Sequence, residues 1–132
     1  VGVTTSEVYM PCYLVGYQMS LDAVRKLRRV GAKRIFITHV GILTPEDAGT
    51  ALLPEMKKEE FSPEHVWDYL ERRLKQTKDE IVEIIRKYPT EEERLAIMLK
   101  TYHKGVKQEE QPDFAFLLNA AATLKVVERE CM

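Results

Sequence analysis

Tryptophan occurs once and cysteine only twice in 132 residues, and glycine and proline occur six times each. Cys12 and Cys131 lie near opposite ends of the chain with no C-x-x-C between them. That argues against a zinc ribbon or a disulfide scaffold and suits a reducing compartment. No apolar run reaches the roughly 18 residues of a membrane span. Residues 1–5 carry no basic segment of the kind that opens a signal peptide, so a cytoplasmic location without membrane contact is expected. A surplus of one charge is lacking too: 20 Lys and Arg face 21 Asp and Glu. Such a balance gives no electrostatic case for nucleic acid as the main partner. There is no P-loop, no Gly-rich dinucleotide turn and no Ser/His/Asp set in an identifiable frame. What remains is an ordinary globular composition, 45% apolar and 31% charged. It predicts one domain, or one domain with an appendage, able to bury roughly two-thirds of its unfolded surface.

Charge density divides the chain near Pro54. Residues 1–54 hold 6 basic and 4 acidic side chains, and residues 55–132 hold 14 and 17. In the first part, residues 1–5 and 9–15 look extended, with Pro11 confining the second stretch to an edge strand or a loop. A helix is predicted over residues 19–30, with Ala23, Val24, Leu27 and Val30 on one side and Arg25, Lys26, Arg28 and Arg29 on the other. Gly31 ends it. Ile35-Phe36-Ile37 reads as a short buried strand, and Thr44-Pro45 as a helix start. This is strand–helix–strand logic, consistent with part of an α/β sheet.

The second part reads as three main helices. Ser62-Pro63 opens one that Pro89 stops, roughly 39 Å long, with Val66, Trp67, Leu70, Leu74, Ile81, Ile84, Ile85 and Tyr88 within an arc of about 100°. Thr90-Glu91-Glu92-Glu93 is a capping box for the next, which Gly105 closes and whose stripe is Leu95, Met98, Leu99 and Tyr102. Pro112-Asp113 opens the last, to about Glu130. Apolar side chains from Phe114 to Val127 surround its axis, which places it at the centre of a bundle or in a subunit interface.

The chain has three histidines. His39 follows the Ile35-Phe36-Ile37 run and precedes Gly41, at the carboxyl end of a strand, where ligands sit in α/β sheets. A neutral imidazole there can bind a metal, or simply bond a nearby carbonyl. His65 falls in the first turn of the long helix and His103 in the last turn of the next, where a histidine has a plain electrostatic role; both read as structural. Six cations fall between Arg25 and Arg34. No aromatic residues alternate with them as a nucleic-acid stacking platform requires, so they read as a solvated helix face.

The stretch Gly16-Tyr17-Gln18-Met19-Ser20-Leu21-Asp22-Ala23-Val24-Arg25-Lys26-Leu27, continued by Ile35-Phe36-Ile37-Thr38-His39-Val40-Gly41-Ile42-Leu43, resembles the carboxyl-terminal part of the metallo-β-lactamase superfamily. In its hydrolase branch an aromatic residue and a serine lead into a leucine-spaced helix, then a β-run, then a histidine–glycine pair. Ser20-Leu21, Leu27, Ile35-Phe36-Ile37 and His39-x-Gly41 take those places. The resemblance spans roughly residues 1–48 and implies that His39 is a ligand of the second metal of a binuclear site. It also implies an α/β fold for residues 1–54, the C-terminal strand–helix–strand part of a metallo-β-lactamase-like αββα architecture, with residues 55–132 as a helical extension. Departures are plain. The H-x-H-x-D-H motif, the middle histidine and the bridging aspartate are absent, and Thr38 stands where glycine is frequent.

The resemblance therefore implies the C-terminal fragment of a metal-dependent hydrolase that uses a metal-bound hydroxide. The divalent metal, zinc by preference, belongs to the intact protein. One histidine does not hold it tightly, so the isolated chain is expected to be inactive, with no catalytic residue of its own. Its expected partner is the missing N-terminal part of the same protein or a second copy, in a dimer or swapped oligomer. The rival reading is a non-enzymatic helical module for protein interaction or oligomerisation. A nucleic-acid binder using Arg25 to Arg34 is a distant third.

Overall fold

The computed structural model describes residues 13, 15–37, 41–50, 53, 55–109 and 111–132. Four helices dominate: α1 (Tyr17–Val30), α2 (Pro63–Lys87), α3 (Glu91–Tyr102) and α4 (Asp113–Cys131). Between α1 and α2 lie two strands of two residues each, β1 (Phe36–Ile37) and β2 (Gly41–Ile42), and two single turns of 3-10 helix. The strands pair antiparallel, Phe36 opposite Ile42 and Ile37 opposite Gly41.

This corrects the expected fold class. The protein is all-helical, not α/β. Among the described residues the Ile35-Phe36-Ile37 run pairs as a strand only with the antiparallel β2, and no second strand lies parallel to it for α1 to cross to. A β-branched run supplies strand propensity, but a sheet also needs neighbours. Residues 1–5 and, of 9–15, residues 9–12 and 14, all read as extended, lie outside the described residues. Pro45 opens only a 3-10 turn (Pro45–Asp47), not a helix, because Gly49 turns the backbone at φ 79° and donates to Leu53 O at 2.8 Å.

The long helices form where their end signals stand. Ser62 Oγ accepts from His65 N at 3.2 Å, with Pro63 at the first helical position. Thr90 and Glu93 exchange bonds as a capping box, and Arg94 reaches back to the carbonyls of Tyr88 (2.7 Å) and Ile85 (3.1 Å), tying the end of α2 to the start of α3. His103 closes α3 two residues before Gly105 turns the chain at φ 79°.

Two apolar clusters hold the helices. The larger joins Tyr13 and Leu21 to Leu74, Ile81 and Ile85 of α2, Met98 and Tyr102 of α3, and Phe116, Leu124 and Val127 of α4. Each such aliphatic or aromatic burial contributes about 1.5–3 kcal/mol. The smaller joins Ile35, Leu43 and Leu53 to Val66, Trp67 and Tyr69 at the start of α2. Of the expected stripe of α2, Val66, Trp67, Leu74, Ile81 and Ile85 are buried and Leu70, Ile84 and Tyr88 partly so, while Tyr69, Arg73, Thr77 and Val82 are buried beyond it. Among the described residues no helix is long and apolar enough to cross a membrane.

Candidate functional site

The β1–β2 hairpin carries the segment in which His39 stands. Side chains alternate along it. Ile35 and Leu43 point inward, with Leu43 N donating to Ile35 O at 2.9 Å, and both are buried in the smaller cluster. Phe36 and Ile42, register partners, point outward and are 68% and 52% exposed. Residues 38–40, which connect the two strands and include the expected metal ligand His39, lie outside the described residues. After β2 the chain is fixed by Thr44. Its hydroxyl accepts from Glu46 N at 3.3 Å, while the Asp47 carboxylate accepts from Thr44 N at 2.7 Å. Among the described residues, no three His, Cys, Asp or Glu side chains come together as a set able to hold a metal ion.

The other two histidines make local contacts, of which that of His103 differs from the electrostatic role expected at its helix end. His65 is exposed in the first turn of α2, its Nδ1 2.8 Å from Ser62 Oγ. His103 is buried at the end of α3. Its Nε2 lies 2.9 Å from Gln111 O and 3.4 Å from Asp113 Oδ1, and its ring stacks on Phe116 with centroids 4.9 Å apart. It therefore joins the end of α3 to the start of α4.

Of the four cations of α1, Lys26 and Arg29 are exposed as expected, while Arg25 and Arg28 reach carboxylates of α2. Arg25 Nε donates to Glu71 of α2 at 2.7 Å, and Arg28 pairs with Glu64 and, at 2.5 Å, with Asp68. The hydrogen bond from Arg25 holds the Glu71 carboxyl below its ordinary range. Leu27 and Val30, on the presumed inner side, are exposed instead. Of the expected inner side only Val24 packs on the core, joined there by Tyr17 and Leu21 rather than by Leu27 and Val30. At its start, α1 takes a cap from another helix: Glu130 Oε2 accepts from Tyr17 N at 2.6 Å, and a Cβ at Gly16 would stand 3.0 Å from Glu130 Oε1.

One polar cluster escaped the sequence reading. Arg73, buried on α2, donates to Glu80 at 3.1 and 3.5 Å, and Tyr102 of α3 donates to the same carboxylate at 2.6 Å. Nearby, Tyr13 donates its phenol hydrogen to Leu74 O. Burial, then the Glu80 bond and charge, push the Tyr102 phenol far above its ordinary pKa, and burial does the same at Tyr13. The signal was present: at 100° per residue Thr77 falls inside the apolar arc of α2 and Arg73 at its edge. No family model matches the chain, and no curated protein or solved structure matches it. The helix ties made by Arg73, Glu80 and Tyr102 account for that cluster as structure, which leaves the hairpin and its His39 segment as the candidate site.

Proposed function

We propose that this chain is the C-terminal part of a metal-dependent hydrolase of the superfamily it resembles. In this reading His39 supplies one metal ligand, the remaining ligands come from the part of the protein that precedes Val1, and the chain alone is catalytically silent. The observation that carries it is the outer face of the hairpin. Phe36 and Ile42 flank the His39 segment and stand paired in register on a surface that nothing in the described chain covers. Two large apolar side chains side by side, on either side of His39 in the sequence, fit a surface completed by another part of the protein. The described residues do not themselves assemble a metal site, so no step of a hydrolytic reaction is assigned to them.

The test compares this chain with the polypeptide extended upstream in its coding sequence. Expected are an H-x-H-x-D-H motif upstream, bound divalent metal and hydrolysis of an ester, thioester, amide or phosphodiester by the longer protein only, and loss of metal and activity on His39→Ala. Equal activity of the two, or a longer protein that neither binds metal nor hydrolyses, overturns the proposal. A second reading, a helical interaction module, draws on α4. Phe114 and Leu118, one helical turn apart, are 67% and 68% exposed on its outer side.

A further inference from the structure

We infer that the outer face of α1 is an interface, and that it meets an apolar surface bordered by carboxylates on the part of the protein that carries the other metal ligands. The inference rests on the function proposed above and names the contact through which this chain joins the rest of the hydrolase. Met19, Ala23, Leu27 and Val30 recur at spacings of four, four and three residues, so they form one continuous stripe along the helix. Met19 is 62% exposed, Leu27 53% and Val30 73%. The stripe lies opposite Tyr17, Leu21 and Val24, which already pack on the core. A helix with two apolar faces is built to be covered on both sides.

The rim gives the chemistry of the partner. Arg25 and Arg28 are spent on Glu71, Glu64 and Asp68 of α2. Lys26 and Arg29 border the stripe, Lys33 and Arg34 follow just beyond Gly31, and all four are exposed with no ion pair to any described residue. Only Asp22 carries the opposite sign on that side, and it accepts from Gln18 at 2.9 Å. Two copies of α1 laid stripe to stripe would therefore set cation against cation. In an antiparallel pair centred on the stripe, Lys26 comes within about one turn of its own counterpart. A carboxylate-bordered surface has the complementary charge and steers the same approach.

The test places a single cysteine at the stripe, Val30→Cys, and follows its modification by a thiol reagent, site by site, in this chain and in the encoded longer polypeptide. Ala96→Cys, on the exposed side of α3, serves as the reference. Expected is labelling at position 30 at least about tenfold slower in the longer protein, with position 96 unchanged. Adding Lys26→Glu and Arg29→Glu, or raising the salt, should restore much of the rate. Equal rates at position 30 in an active, metal-loaded protein overturn the interface and leave the proposed function standing. Protection in a longer protein that neither binds metal nor hydrolyses overturns the proposed function and leaves the interface. Protection that depends on protein concentration assigns the stripe to a second copy and overturns the partner named here.

Discussion

Tyr102 donates to Glu80 Oε2 across 2.6 Å, and Arg73 donates to both oxygens of that same carboxylate. One acid on α2 thereby fixes a buried cation of its own helix and the last turn of α3. Hydrogen bonds to charged groups contribute about 1.5–3 kcal/mol. Glu80 keeps Arg73 and remains partly open to water, so Tyr102→Phe is expected to cost about 1–2 kcal/mol. Glu80→Leu should cost more, because it leaves the Arg73 guanidinium buried without this acceptor. Urea midpoints with unchanged slope check both. A Glu80→Leu variant as stable as the parent would show that Arg73 needs no such partner.

Burial holds the phenols of Tyr13 and Tyr102 neutral well above the ordinary tyrosine pKa of 10.0. The sign follows from linkage. A folded-state pKa raised above the unfolded value contributes stability that is complete below 10 and is lost as the pH climbs beyond it. Phenolate absorbance from these two residues is therefore expected to appear together with loss of helical circular dichroism, in one alkaline step. Ionisation of every tyrosine near pH 10 with the helices intact would contradict the packing around them.

The Arg25–Glu71 pair acts at the other end of the scale. Arg25's hydrogen bond lowers the Glu71 pKa from 4.5, so its contribution is present above that value and fades as the pH falls through the depressed one. Both side chains are partly exposed, so the effect is small and salt-sensitive. Glu71→Gln should lower the stability–pH curve slightly above about pH 4.5, where the pair contributes, and converge with the parent in acid, so that the acid limb is flatter. An acid limb as steep as the parent's would place the responsible carboxylate elsewhere.

Helix ends were the most legible part of this chain, because capping is local chemistry. Ser62-Pro63, Thr90 with Glu93, and Gly31 each act within a few residues of where they stand. The α/β expectation failed because a sheet is a property of neighbours. Ile35-Phe36-Ile37 has the residues of a strand but, among the described residues, pairs only with Gly41–Ile42. The orientation of α1 was lost for a related reason. Its inner face, Tyr17, Leu21 and Val24, is selected by packing on residues of α2 and α4 that lie far away in sequence, with Arg25 and Arg28 pairing to carboxylates of α2 on its flank. Of the candidate site, the hairpin that flanks His39 is described, while His39 itself lies outside the described residues.

That division of α1 predicts an asymmetry that a hydrophobicity plot would miss. Ile81 is fully buried between α2 and its neighbours, and truncating it removes both transfer energy and packing, so Ile81→Ala is expected to cost about 2–5 kcal/mol. Leu27, similarly apolar, has more than half its surface in water. In this chain Leu27→Ala should cost less than about 0.5 kcal/mol, since alanine also favours the helix. In the longer polypeptide, where the stripe is covered, the same change should cost about 1–3 kcal/mol by lost burial. Chemical denaturation of the two variants in the two lengths of chain gives four numbers. The difference at Leu27 between the lengths is the one that matters, because a residue that is merely exposed behaves alike in both.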